Sequence, residues 1–294
     1  MTSHTSEGAT ATGIPDDVER AVTDYVADLE HTLPGLSAGV YLVGSAALED
    51  FHPETSDLDV VTVLEDELDP LQLTLLGDIH ARIAKRHRPI RLDASYLTWA
   101  QLAQAPSSRE TAGVRALDGR IHVAPDTSAP GILLWHQLHE QALTVVGADL
   151  RDRPIALRPE ALQEWCLAQI EERWTPWWDR AAVLLSAGGR ESLGAVGPTS
   201  GVLGVVRLHH TLVTGTLVSQ CQAATWALTL CEPEWKRLLE ECLRVRHHPQ
   251  RPSLYRNPLQ RRRDALAFMD LLMTADEEAF GGRSLDRELP PEVR

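Results

Sequence analysis

Residues 44–60 read GSAALEDFHPETSDLDV, and two features of this stretch decide how the chain is built. A Gly-Ser pair, Gly44 and Ser45, closes the apolar run SAGVYLV. Shortly after it, Asp57 and Asp59 flank a single leucine at the head of a second apolar run, SDLDVVTVLED. On a strand, residues two apart point to one face, so both carboxylates emerge together. Carboxylates that close repel one another, and something positive is expected between them.

The neighbouring segments supply the frame. IPDDVERAVTDYVADLEHTL sets Ile14, Val18, Val22, Tyr25, Val26 and Leu29 at helical spacing, with acidic residues in the first turn. LDPLQLTLLGDIHARIAKRH is a second amphipathic helix, ended by Pro89. PIRLDASYLT alternates Ile90, Leu92, Ala94 and Tyr96 against Arg91, Asp93 and Ser95, which reads as a third strand. If the second and third strands are neighbours, Asp57, Asp59 and Asp93 converge. Such a cluster raises its own pKa values unless a hard cation neutralises it. Mg²⁺ suits it, because that ion seeks oxygen and shares carboxylates with phosphates. Gly44 lets the backbone approach a phosphate, and Ser45 offers a hydroxyl and an amide where strand turns into helix. Together these parts describe metal-assisted phosphoryl transfer.

Residues 107–131 read as loop with a short IHV segment, and GILLWHQLHEQALTVVG as a helix running into a last short strand. From about residue 159 the pattern changes to successive helices: PEALQEWCLAQIEERWTPWWDRAAVLLSA, TSGVLGVVRLHHTLVTG, SQCQAATWALTL, EPEWKRLLEECLRVRHH and LQRRRDALAFMDLLMTADEEAF. No strand pattern interrupts them, so a mostly helical second domain is expected there.

Composition narrows the partners. The 294 residues carry a formal net charge of −14, which argues against a nucleic-acid partner, since a polyanion needs a basic groove. Four cysteines (Cys166, Cys221, Cys231 and Cys242) show no metal spacing and point to a reducing cytoplasm. The start lacks a signal-peptide pattern, and no apolar run is long enough to span a bilayer. Lys85 and Lys236 are the only lysines, so phosphate charge must be met by arginine or metal.

The stretch GSAALEDFHPETSDLDVVTV resembles the GS-x(n)-D-x-D signature of the nucleotidyltransferase superfamily. GVLGVVRLHHTLVTGTLVSQCQAATWAL, PEWKRLLEECL and LLWHQLHEQALTVVGADL are similar to parts of the aminoglycoside nucleotidyltransferases, the streptomycin/spectinomycin adenylyltransferases. The narrower likeness rests on an R-x(3)-T-x(2)-TG pattern at Arg207, Thr211, Thr214 and Gly215. The resemblance implies an α+β chain. A nucleotidyltransferase domain of mixed sheet and helices (15–158) precedes an all-α helical bundle (159–280), between a disordered tail (1–14) and a frayed one (281–294). It implies Mg²⁺ on Asp57 and Asp59, ATP as co-substrate, and Ser45 and Ser56 near the triphosphate. Asp93 matches a family glutamate that serves as base, and Arg207 a phosphate-binding arginine. The implied partner is a small-molecule acceptor of aminoglycoside type, with no nucleic acid, no membrane, and a monomeric or small homo-oligomeric state.

Three departures from the family pattern bear on activity. Asp93 is one methylene shorter than the family's base, which favours a role as third metal ligand. Gln220 stands where the family has a phosphate-binding lysine; Arg244, Arg246 or a second metal could compensate. The family's drug-binding carboxylates fall on Leu193 and Gly197, leaving only Glu191 in LSAGGRESLGAVGPTSG. Glu164, Glu171, Glu172 and Asp179 read as solvated helix surface, and Trp174, Trp177 and Trp178 as inter-helix packing. Of His209 and His210, at most one faces a site, because adjacent residues diverge on a helix. Transfer to a protein or RNA target stays open, as does a catalytically weak, nucleotide-binding regulator.

Overall fold

The computed structural model describes residues 14–53, 55–106, 113–123 and 131–281, so the two expected tails lie almost wholly outside them. The chain divides into two compact units, 1–158 and 159–294.

The first unit runs α1 (Asp16–Thr32), β1 (Ser37–Leu42), α2 (Gly44–Ala47), β2 (Leu58–Leu64), α3 (Pro70–Arg86), β3 (Leu92–Thr98), α4 (Trp99–Leu102), β4 (Val114–Leu117), β5 (Arg120–His122), α5 (Gly131–Glu140) and β6 (Leu143–Gly147). Its strands form one mixed sheet in the order β5-β4-β3-β2-β1-β6, with β2 and β3 parallel and the other pairs antiparallel. Alternation along β2 sorts the two cores. Leu58, Val60 and Leu64 join Val18, Val22, Tyr25 and Leu29 of α1 and Leu76, Ile79 and Ile83 of α3 on one face. Val61 and Val63 join Leu97, Trp135 and Leu138 on the other. Each fully buried aliphatic side chain contributes about 1.5–3 kcal/mol, so a one-residue slip of β2 would forfeit both cores. α3 starts sharply at Asp69, which accepts from the Gln72 N–H at 2.8 Å while Gln72 Oε1 accepts from the Asp69 N–H at 2.8 Å.

Segment 107–131, expected to be loop with one extended piece, contains a β-hairpin. β4 and β5 turn through Asp118 (φ 49°) and Gly119 (φ 74°), the two left-handed residues that a tight hairpin turn demands.

A buried polar chain lies beneath the sheet. Tyr25 Oη sits 2.7 Å from Thr62 Oγ1 and 2.9 Å from Tyr96 Oη, and His80 Nε2 sits 2.7 Å from Tyr96 Oη. Burial pushes the His80 pKa down from 6.5 to about 4. Folded protein therefore holds His80 neutral where the unfolded chain would protonate it. Stability is full above pH ~6.5 and falls by roughly 3 kcal/mol as the pH drops toward 4, below which this contribution is lost. Urea titrations of wild type and His80→Gln across this range should show the pH slope shrinking in the variant.

The second unit contains α6 (Pro159–Gln169), a π-helical segment (Ile170–Trp174), α7 (Thr175–Ala182), α8 (Ala187–Glu191), α9 (Val196–Thr214), α10 (Gln220–Leu230), α11 (Pro233–His247) and α12 (Pro258–Asp276). The single helix expected over 159–187 is interrupted because Pro176 has no N–H to donate. The turn ahead of it widens, with the Thr175 N–H donating to the Ile170 carbonyl and Thr175 Oγ1 donating to the same oxygen at 2.9 Å. α7 then stops at Ala182, where buried Arg262 donates to the carbonyls of Ala181 (2.8 Å) and Ala182 (2.6 Å). α9 is apolar almost all round and packs against α6, α10, α11 and α12, as expected of a central helix. It ends at Gly215 (φ 72°), with Thr211 and Thr214 hydroxyls donating to the Arg207 and His210 carbonyls. Among the described residues no helix is long and apolar enough to cross a membrane.

Candidate active site

β2 and β3 pair in parallel with Asp59 opposite Asp93, and both point to the face that carries Val61 and Val63. Neighbouring parallel strands stand about 4.8 Å apart, so the two carboxylates are adjacent. Asp57 lies one residue ahead of β2 rather than within it, because the strand begins at Leu58. Its charge still reaches the pair. The Asp93 pKa is pushed from 3.8 up to about 6, chiefly by burial and then by repulsion from Asp57. The Asp118 N–H, donating to Asp93, and the Arg115 charge pull the other way without restoring the ordinary value. The three acids thus gather at one end of β2 and β3, where burial and the Asp57 charge both act on Asp93.

The cation sought between them is partly Arg91. Its Nε donates to Asp57 Oδ1 at 2.6 Å, with both side chains nearly half exposed. Arg91 has the strand parity of Asp93, two residues on, so alternation could have placed it here. Arg115 and Asp118, contributed by the unforeseen hairpin, complete the surroundings of Asp93. The donor set, three carboxylates partly open to solvent, suits a hard divalent cation.

The loop between β1 and β2 is fastened to this cluster. The Val43 N–H donates to the Asp59 carbonyl at 3.1 Å, and Gly44 follows with φ 65°. A Cβ on Gly44 would stand 2.5 Å from Asp59 Oδ2, so glycine is needed for both the backbone turn and the carboxylate's place. Ser45, on the short α2, accepts the Asp50 N–H at its carbonyl (2.9 Å). Ser56 is buried, and its hydroxyl accepts the His52 N–H at 3.1 Å, closing the loop just before Asp57.

In the helical unit, Arg207 is half-buried on α9 beside Cys166, whose thiol is pushed up to about 12 by burial. Gln220 is the first residue of α10. Arg244 is not a spare cation. It donates from Nε and Nη2 to the buried Glu241 (2.8 and 3.0 Å) and from Nη1 to the Arg251 carbonyl (2.7 Å). His209 Nδ1 lies 2.6 Å from buried Asp276, and His210 is buried against Trp226. Glu164, Glu171, Glu172 and Asp179 are exposed. Trp178 is buried with its Nε1 donating to the Leu266 carbonyl, and Trp174 and Trp177 pack on the glycines of α9, as the packing reading expects.

Residues 25–107, which contain Gly44, Ser45 and all three acids, match the nucleotidyltransferase domain family. The chain carries a nucleotidyltransferase domain. Among solved structures it is similar to spectinomycin adenyltransferase AAD(9) from Enterococcus faecialis, determined with ATP and spectinomycin. The two share 12% identity at a TM-score of 0.61, over 86% of this chain and 99% of that one. The likeness extends the shared fold beyond the nucleotidyltransferase domain into the helical unit. No curated protein matches the chain in sequence.

Proposed function

We propose that the chain transfers AMP from ATP to a hydroxyl of a small polar acceptor, an aminoglycoside-type antibiotic being the first choice. The observation that carries this reading is the in-register pair of Asp59 and Asp93 beside the Gly44 turn, with Asp57 at its edge. Asp57, Asp59 and Asp93 hold Mg²⁺. When bound, the ion neutralises triphosphate charge and makes the acceptor hydroxyl more acidic. Asp93 completes the metal set or takes the hydroxyl proton. Gly44 and Ser45 offer backbone and hydroxyl to the phosphates, with Ser56 shaping the loop, while Arg207 and Gln220 serve the nucleotide from the helical unit. The acceptor oxygen bonds to the α-phosphorus, the α–β anhydride bond breaks, and pyrophosphate leaves with the electron pair. The setting is a reducing cytoplasm, which suits four free thiols.

A drug panel in a sensitive host tests this directly. Expression should raise resistance to streptomycin or spectinomycin, and Asp59→Asn should abolish the gain; unchanged susceptibility to every aminoglycoside would remove the acceptor assignment. The commitment of Arg244 to Glu241 favours a second reading, a nucleotide-binding homologue of low turnover, because Arg244 then does not offset the neutral Gln220. Calorimetry showing ATP binding without pyrophosphate release across the panel would select it.

A further inference from the structure

The helical unit holds a pocket of about 560 Å³ whose lining includes Arg173, Trp174, Trp177, Arg180 and Glu191. Its volume lies within the range of small-ligand sites. Three features fix the chemistry it would accept. The first is aromatic surface: Trp174 and Trp177 meet edge to face, ring centroids 6.4 Å apart, and half-buried Trp177 leaves ring area open to the pocket. The second is charge. The Arg173 guanidinium stacks 4.9 Å above the Trp174 ring, Arg180 also lines the wall, and no carboxylate among the described residues forms an ion pair with either. Glu191 alone opposes them.

The third feature is the start of α9. Val196 and Gly197, its first residues, line the pocket, and the preceding Ala195 supplies no side-chain cap. Their amides and the positive end of a 19-residue helix therefore add to the two guanidinium groups. This is also the stretch where carboxylates for a polycation would be sought, yet the pocket lining, two arginines against Glu191, is net positive. A polyamine would meet repulsion here. A flat ring bearing one negative group would find a stacking face and a paired guanidinium.

We propose that this pocket binds a planar aromatic anion, with the ring on Trp177 and the acidic group between Arg173, Arg180 and the first turn of α9. This ligand is additional to ATP and the acceptor, and its binding needs no turnover.

Calorimetric titration of the full chain, without ATP or metal, separates the possibilities using naphthalene-2-sulfonate and its cationic counterpart, naphthalen-2-ylmethylammonium. The sulfonate should bind saturably, and the ammonium at least tenfold more weakly. In Arg173→Gln/Arg180→Gln, sulfonate affinity should fall at least tenfold with the melting temperature unchanged, since both side chains are exposed. Glu191→Gln should tighten it several-fold by removing the one like charge. Equal binding of the two probes, full affinity in the double variant, or no saturation at millimolar sulfonate would each overturn the proposal. An Asp59→Asn protein, inactive in transfer, should bind the sulfonate as wild type does, so this test and that of the transfer reaction fail separately.

Discussion

Pyrophosphate release from ATP should fall at least about a thousandfold when Asp59 is replaced by asparagine, with the protein still folded. A bound metal supplies several kcal/mol of charge stabilisation in phosphoryl transfer, and each 1.36 kcal/mol is tenfold in rate. Asp93→Asn should be as damaging to turnover but should make the metal-free protein more stable. The sign follows from the raised pKa. Above pH ~6 the folded state carries an ionised Asp93 that burial and Asp57 disfavour, while the unfolded chain carries it freely in water. Asparagine removes that charge and still accepts from the Asp118 N–H. The gain, of the order of 1 kcal/mol after solvent screening, is full above pH ~6 and vanishes below ~4. Paired melting curves at pH 8 and pH 4, with a pyrophosphate assay, check both halves. An Asp93→Asn protein that is destabilised at pH 8 would show that the carboxylate is satisfied without a cation.

Gly204→Ala should be strongly disruptive in the helical unit. A Cβ at Gly204 would overlap Trp174 Cζ2 and stand 2.8 Å from Cε2, and Trp174 is itself buried. One turn earlier, a Cβ at Gly201 would stand 2.8 Å from Met269 Sδ and 3.2 Å from Trp177 Cζ3, so the same face of α9 is tightly packed over two turns. Overpacking of this kind costs about 1–3 kcal/mol or more, which outweighs the ~1 kcal/mol that alanine gains over glycine within a helix. A fall of roughly 5–10 °C in melting temperature is expected. Gly77→Ala, in α3, is the matched control: its nearest neighbour would be Ile121 Cγ1 at 3.8 Å, so there the helix gain should appear as a small rise. Equal effects at the two positions would mean that Trp174 is not held against α9.

Most of the acidic cluster was legible because it obeys local rules. The spacing of Asp57 and Asp59 and the parity of Asp93 place three carboxylates by strand alternation alone, given that β2 and β3 are neighbours. Gly44 is legible as a turn residue, although its closeness to the Asp59 carboxylate is a tertiary fact. Arg91 was overlooked, although the same parity rule applied to it, and the Asp118-Gly119 pair was a hairpin signal left unused. Other features had no local signal. Tyr25, Thr62, His80 and Tyr96 come from four elements, and each reads as ordinary core or helix surface by itself. Arg262 looks like one of three surface arginines on α12, yet its hydrogen bonds reach carbonyls at Ala181 and Ala182. Such partners are backbone groups distant in sequence, which composition and period do not encode. Departures from the resemblance were legible as substitutions, but that Arg244 is held by Glu241 required coordinates.

The most direct test of the central claim is a titration of Mn²⁺, as a spectroscopic stand-in for Mg²⁺, followed by electron paramagnetic resonance with α,β-methylene-ATP present. Wild type should take up manganese saturably beyond the nucleotide-only blank, and Asp59→Asn and Asp93→Asn should each weaken that uptake at least tenfold. Undiminished uptake in both variants would contradict a metal centre built from these acids.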